Sequence, residues 1–179
     1  QRVKPESYAP DFHPPEYNFT IKPSFGQVAA YLAVLEDEIK ATPRFHLTLD
    51  IETRRGQIAC IGFGTSSRKA FCIPLLCVTK DGGHYWSLDE EVWIVEKLRK
   101  ILTHPNLFLI GQNLLYDVQY IAYQFKFVPY VSQDTMLWHQ TCFPGTPKAL
   151  DFLASWYAEF YCYWKDEGKE WTSRMNEEE

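Results

Sequence analysis

No apolar run in this chain of 179 residues approaches the roughly 20 residues that a transmembrane helix needs, and no basic stretch followed by an apolar one marks a leader. The expectation is a protein that neither spans a membrane nor is secreted. Cysteine is sparse and unpatterned: Cys60, Cys72, Cys77, Cys142 and Cys162 are odd in number, irregular in spacing and without a Cys-x-x-Cys pair. That argues against a disulfide framework and a zinc site, and predicts buried free thiols in a reducing compartment. Positive charge is short as well. With 18 Lys and Arg against 23 Asp and Glu the net charge is −5, which excludes capture of nucleic acid by bulk electrostatics. There is no internal repeat.

What is present is core material. A content of 46% hydrophobic and 16% aromatic residues suits one domain with a substantial core. Residues 1–26, with Pro5, Pro10, Pro14, Pro15 and Pro23, read as an extended arm or linker, and 27–179 as a single domain. Ser24 is placed to cap a helix over 25–41 whose buried stripe is Val28, Tyr31, Leu32 and Leu35. Strands follow at 45–51, 57–65 and 69–76, with Arg54-Arg55-Gly56 as a tight turn and Asp81-Gly82-Gly83 as a loop. Leu88 to Leu102 reads as an amphipathic helix with Asp89, Glu90 and Glu91 in its first turn. A strand at 107–111, a helix at 113–126, a strand near 130–133 and helices at 134–141 and 148–157 complete the pattern. Three consecutive strands and then alternating helices and strands predict an α/β fold: a mixed sheet, antiparallel on one side and parallel on the other, flanked by helices.

Two acids end the run Phe45-His46-Leu47-Thr48-Leu49-Asp50-Ile51-Glu52-Thr53. Residues i and i+2 of a strand share a face, so the carboxylates of Asp50 and Glu52 point the same way from a segment that otherwise favours burial. Such a pair repels and resists desolvation unless one member holds a proton or a hard divalent cation lies between them. The plainer reading of an isolated Asp-x-Glu is a strand whose acidic end reaches solvent. A second constellation follows in Gly111-Gln112-Asn113-Leu114-Leu115-Tyr116-Asp117, after the apolar run that starts at Leu107. Asn113 and Asp117 are one helical turn apart, and Leu114, Val118, Ile121 and Phe125 have the spacing of a buried stripe. Taken alone, Asn113 is an N-cap and Asp117 a first-turn acid suited to the helix dipole.

With Val131-Ser132-Gln133-Asp134-Thr135-Met136-Leu137-Trp138-His139 and Pro147-Lys148-Ala149-Leu150-Asp151-Phe152-Leu153-Ala154 the pattern becomes specific. The chain resembles the 3′–5′ proofreading exonuclease domain of family A DNA polymerases, especially phage-type ones, within the DEDD superfamily. Asp50-Ile51-Glu52-Thr53 matches the first motif of that family and Gly111 to Asp117 the second. Asp134-Thr135-Met136-Leu137 and the helix from Leu150 to Leu153 match the segment that follows, so the likeness covers residues 45 to 157.

The resemblance implies an RNase H-like sheet and two divalent metal ions, Mg or Mn. By likeness Asp50 bridges the two ions, Glu52 holds the one on the nucleophile side and helps orient the water, and Asp117 anchors the second. Thr53, Gln112 and Asn113 match positions that hold the terminal nucleotide, with capping and turn formation as their alternative use. The implied partners are the 3′ end of single-stranded DNA and a polymerase domain of the same longer chain. The implied setting is the cytoplasm of a bacterial or phage-infected cell. A few nucleotides are held through metal ions, stacking and local donors, which an acidic chain permits. The family also carries a fourth metal-binding Asp on a late helix, as Tyr-x-x-x-Asp or His-x-x-x-x-Asp, and no match to it is found. Cys162 precedes Asp166 by four, Tyr163 precedes Glu167 by four, and Pro144 stands five after His139. The chain is therefore expected to stop short of the last motif. A vestigial exonuclease-like scaffold and a stand-alone RNA-trimming nuclease remain as alternatives.

Asp134 and Asp151 are expected to act as helix N-caps rather than as catalytic acids, and His139 as a satisfied histidine rather than a ligand. Tyr116, Tyr120 and Tyr123 recur at helical spacing, where packing is favoured over stacking on bases.

Overall fold

The computed structural model describes residues 15–77 and 83–159. In chain order the elements are β1 (Asn18–Thr20), α1 (Phe25–Ala41), β2 (Phe45–Arg54), β3 (Gln57–Ser66), β4 (Lys69–Pro74), α2 (Leu88–Leu102), β5 (Leu107–Gly111), α3 (Leu114–Phe125), β6 (Val131–Asp134), α4 (Thr135–Cys142) and α5 (Leu150–Tyr157). Asp81 and Gly82 of the expected loop lie outside the described residues, as do Cys162, Asp166 and Glu167.

Local chemistry sets the boundaries. Both long helices start with a reciprocal capping box, Ser24 with Gln27 on α1 and Ser87 with Glu90 on α2, each satisfying backbone N–H groups that the first turn leaves open. α2 adds Asp89, Glu90 and Glu91 at its positive end and Arg99 and Lys100 at its negative end. β2 and β3 are joined by Arg55 and Gly56, both at positive φ (53° and 77°), the twist that a two-residue hairpin needs.

The strands form one six-stranded sheet in the order β1-β4-β3-β2-β5-β6. β2, β3 and β4 are antiparallel, while β5 runs parallel to β2 and β6 parallel to β5. This mixed α/β sheet flanked by helices is the arrangement that the element order predicts, and it is the RNase H-like one that the resemblance implies. β1 lies outside the expected strand set. Within the proline-rich segment, Asn18–Thr20 runs parallel to Lys69–Phe71 and closes the sheet edge.

Alternation divides the sheet into two faces. Leu47, Leu49 and Ile51 of β2, Ile61 and Phe63 of β3, and Phe71 and Ile73 of β4 are buried in a core shared with Val28, Leu32, Leu35 and Ile39 of α1 and Ile94, Leu98, Ile101 and Leu102 of α2. Thr48, Asp50 and Glu52 point to the opposite face. That face carries small partners: Gly62 stands opposite Asp50, Cys60 opposite Glu52 and Gly64 opposite Thr48. At Gly64 a Cβ would come within 2.4 Å of Thr48 Oγ1, where Thr48 instead donates a hydrogen bond to the Gly64 carbonyl at 3.1 Å.

Three expectations need correction. The buried face of α3 holds Leu114, Ile121 and Asp117, with Phe125 partly buried and Val118 only half-buried, because an acid occupies the turn that faces the sheet. The cap of α5 is Ala149, and Asp151 sits inside the first turn. The described cysteines are free but not buried: Cys60, Cys72 and Cys77 are half-exposed and Cys142 is exposed. For Cys60 and Cys72 the register explains this, since it places them on the face opposite the core.

The passage from β5 into α3 has no spare room at Gly111. A Cβ there would lie 2.4 Å from Leu114 Cδ2, 2.6 Å from its Cγ and 3.0 Å from the Leu49 carbonyl oxygen, and Leu114 is buried. Gly111→Ala is expected to lower stability by about 1–3 kcal/mol through this overpacking, read as a lower urea midpoint with unchanged slope. An unchanged midpoint would contradict so close an approach.

Candidate active site

β2 pairs with β5 only from Phe45 to Thr48, because β5 ends at Gly111 and turns into α3. Beyond Thr48 the β5 side of β2 is open, and the Ile51 N–H has no strand partner there. It donates instead to Asp117 Oδ1 at 2.9 Å. The residue between Asp50 and Glu52 thus holds the third acid, and Asp117, only 3% exposed, lies against the strand that carries the other two.

Electrostatics follow from this crowding. Burial pushes Asp117 up to about 6, the charge of Asp50 adds to the rise, and the Ile51 N–H opposes it. Burial also raises Asp50 and Glu52, and the charge of Asp50 adds to the second. No positive charge contributes to any of these shifts. Among the described residues no three His, Cys, Asp or Glu side chains are gathered closely enough, as they stand, to hold a metal ion. The donor set still fits a hard divalent cation: oxygen ligands, Asp117 buried and Asp50 and Glu52 exposed beside it, with Asp50 near enough to raise both of the others and no compensating cation among the described residues.

The other expected residues are spread around these acids. Thr53 Oγ1 and Tyr116 OH are hydrogen-bonded at 2.7 Å, linking the end of β2 to the first turn of α3, and the Tyr116 and Tyr120 rings meet at 4.9 Å. Tyr120 packs partly on the core, whereas Tyr116 and Tyr123 are exposed. Gln112 donates from Nε2 to the Lys148 carbonyl at 2.7 Å and accepts from Thr135 Oγ1, tying the end of β5 to the approach to α5. Asn113 is exposed, in the left-handed region at φ 58°, and makes no side-chain cap.

Asp134 supplies the missing cap. Its Oδ1 accepts from Met136 N–H at 2.9 Å, capping α4 as expected, and from Asn113 N–H at 3.0 Å, while Oδ2 accepts from Leu114 N–H at 2.9 Å. One carboxylate therefore closes two helix N-termini. The second was not visible in the sequence, where the only hint is an Asn-Leu start to α3 without a capping box. His139 is buried and satisfied, with Nδ1 bonded to Tyr157 OH at 3.0 Å and Nε2 to Thr146 Oγ1 at 2.7 Å.

Asp134→Ala is expected to cost about 2–4 kcal/mol, roughly two caps, with Asp134→Asn intermediate; a loss near that of one surface substitution would contradict the double cap. Asp117 generates a pH prediction. Native Asp117 keeps its proton up to about pH 6, whereas in the unfolded chain it ionises near the ordinary value of about 3.9. Its contribution to metal-free stability is therefore full below about pH 4 and is lost as pH rises through 6. The unfolding free energy of wild type should fall relative to that of Asp117→Asn as pH rises over that window, and a relative rise would contradict the assignment.

Comparison with known proteins gives the same fold. The sequence model described as 3′–5′ exonuclease matches residues 29–179. No curated protein matches by sequence. Escherichia coli RNase D, described as an exoribonuclease involved in structured RNA processing, aligns with a TM-score of 0.55 and 17% identity over 86% of this chain and 36% of its own. The catalytic core of RRP6 from Trypanosoma brucei aligns with a TM-score of 0.58 and 15% identity over 83% of this chain and 37% of its own. Brucella melitensis NrnC with bound Mg²⁺ aligns with a TM-score of 0.51 and 12% identity over 83% and 63%. The chain thus spans little more than a third of the first two, and these likenesses bear on the fold alone. With most of its length matched by one family model, the chain belongs to the 3′–5′ exonuclease family.

Proposed function

We propose that this chain is the proofreading exonuclease domain of a family A DNA polymerase, removing nucleotides one at a time from the 3′ end of single-stranded DNA. The observation that carries the reading is the Ile51 N–H bond to Asp117, which joins the Asp50-x-Glu52 pair to the second motif. The motif context around Asp134, Thr135 and Met136 supports attachment to a polymerase.

Asp50, Glu52 and Asp117 would hold two divalent cations, Mg or Mn, which lower the pKa of an attacking water and stabilise the departing 3′ oxyanion. Glu52, on the outward face of β2, accepts a hydrogen bond from that water and aims it at the terminal phosphate. The water oxygen bonds to phosphorus as the bond to the neighbouring 3′ oxygen breaks. The products are a nucleoside 5′-monophosphate and a strand one residue shorter with a free 3′ hydroxyl. Thr53, held by Tyr116, and the exposed Asn113 flank the acids and are assigned to the terminal nucleotide. Gln112 is assigned there through its backbone position, since its amide is engaged by Thr135 and Lys148. A fourth carboxylate is not among these residues, and Asp166 and Glu167 lie outside the described ones.

The second reading, an RNA-trimming nuclease, is favoured by the likeness to Escherichia coli RNase D, an exoribonuclease involved in structured RNA processing. One assay separates the two. Incubated with Mg²⁺ or Mn²⁺, the chain should shorten a 5′-labelled single-stranded DNA from its 3′ end faster than the matching RNA, and Asp50→Ala should abolish the ladder. Faster cleavage of RNA would favour the second reading, and full activity in Asp50→Ala would overturn both. Without metal, Asp50→Ala should be as stable as wild type or slightly more so, because it removes a desolvated charge.

A further inference from the structure

α3 is tied to the acid strand at its start and to the next strand at its end. Gln124, half-buried in the last turn of α3, accepts a hydrogen bond from the Ile58 N–H through Oε1 at 2.9 Å. It stands seven residues after Asp117, so the two side chains leave nearly the same face of the helix, two turns or about 10 Å apart. Asp117 takes the Ile51 N–H of β2 and Gln124 the Ile58 N–H of β3.

Ile58 lies where the ladder between these strands is irregular. Thr53 stands opposite Ile58 and Glu52 opposite Cys60, so Ala59 is an extra residue on β3, a bulge next to Glu52. A bulge bends its strand and re-aims the side chains beside it. The Ala59 carbonyl accepts from the Leu75 N–H at 2.7 Å and the Leu76 N–H at 3.1 Å, which ties the bulge to the chain after β4, while Gln124 ties the residue before it to α3. The bonds at the start of α3 hold one point only. Tyr116, bonded to Thr53 at 2.7 Å, and Asp117 are adjacent in the chain. Ile121 and Phe125 pack on the core farther along, but apolar contact is non-directional and sets no angle. Gln124 supplies a directional second point.

We propose that Gln124 is a positioning residue of the exonuclease: by pinning the end of α3 to the bulge beside Glu52, it fixes the angle of the helix across β2 and β3 and with it the placement of Asp117 relative to Glu52. The inference rests on the function proposed above. Gln124 takes no part in the chemistry and acts through the two acids, for which a displacement of about 1 Å costs on the order of 100-fold in rate.

The test compares Gln124→Met, which keeps the length of the side chain and has only a weak acceptor, with Gln124→Glu, which keeps an acceptor oxygen at the same reach. Trimming of 5′-labelled single-stranded DNA with Mg²⁺ is followed over a series of DNA concentrations. Gln124→Met should lose at least about tenfold in kcat with KM changed less than about twofold, and Gln124→Glu should stay within about twofold of wild type. A residue that only stabilised the fold would lower the urea midpoint of Gln124→Met and leave kcat in place. Wild-type kcat in Gln124→Met, an equal loss in Gln124→Glu, or a loss confined to KM would overturn the proposal. Should Gln124→Met not fold, Gln124→Asn, one methylene too short to reach Ile58, takes its place with the same outcomes.

Amide hydrogen exchange gives a reading that needs no activity. Loss of the acceptor should speed exchange at Ile58 and also at Ile51, whose acceptor stands at the other end of the helix. Faster exchange at Ile58 alone would overturn the positioning role. A wild type that trims neither DNA nor RNA refutes the exonuclease reading and with it this role, whereas an active wild type matched by Gln124→Met refutes only the role of Gln124.

Discussion

One hydrogen bond organises the acid site: the Ile51 N–H to Asp117. It exists because β5 is shorter than β2, so the parallel ladder stops at Thr48 and leaves a donor that must find an acceptor. The acceptor comes from the first turn of α3, and its burial against β2 is what raises Asp117 and crowds it toward Asp50. A strand length thus leaves one backbone donor unpaired, and that donor fixes where the start of α3 sets Asp117.

That arrangement is costly to hold, and much of the surrounding structure holds it. Gly111 permits β5 to turn directly into α3 against Leu49 and Leu114. Asp134 takes the open N–H groups of Asn113 and Leu114 and also those of α4. Gln112 anchors the same corner to Thr135 and Lys148. None of these contacts is catalytic chemistry, yet together they fix where Asp117 enters. On the other side of the sheet, the core of α1, α2 and the inward residues of β2 to β4 provides the rigid support.

Most of the fold was legible because it is set locally. Ser24-x-x-Gln27 and Ser87-x-x-Glu90 carry their caps within four residues, α2 and β5 have the predicted bounds, and the Arg55-Gly56 hairpin declares itself through its turn residues. Asp50, Glu52 and Asp117 were legible as candidates from strand alternation and from motif likeness, and the fold brings them to one strand. What was not legible depends on distant pairing. The parallel strand Asn18–Thr20 is three residues long and has no pattern of its own. The second cap made by Asp134 spans twenty residues to Leu114, and the burial that turns Asp117 from a first-turn acid into a desolvated one requires the sheet to be in place. The cysteines looked like core residues from their apolar neighbours, and only the register shows that they share the face of Glu52.

The most direct measurement of the central claim, that these carboxylates are built for hard cations rather than for one another, is the unfolding midpoint titrated with Mn²⁺. Binding to the native state alone raises stability with ligand concentration. A saturable rise is expected in the wild type and none in Asp50→Ala. A wild type whose midpoint ignores Mn²⁺, or an Asp50→Ala variant stabilised to the same degree, would contradict it.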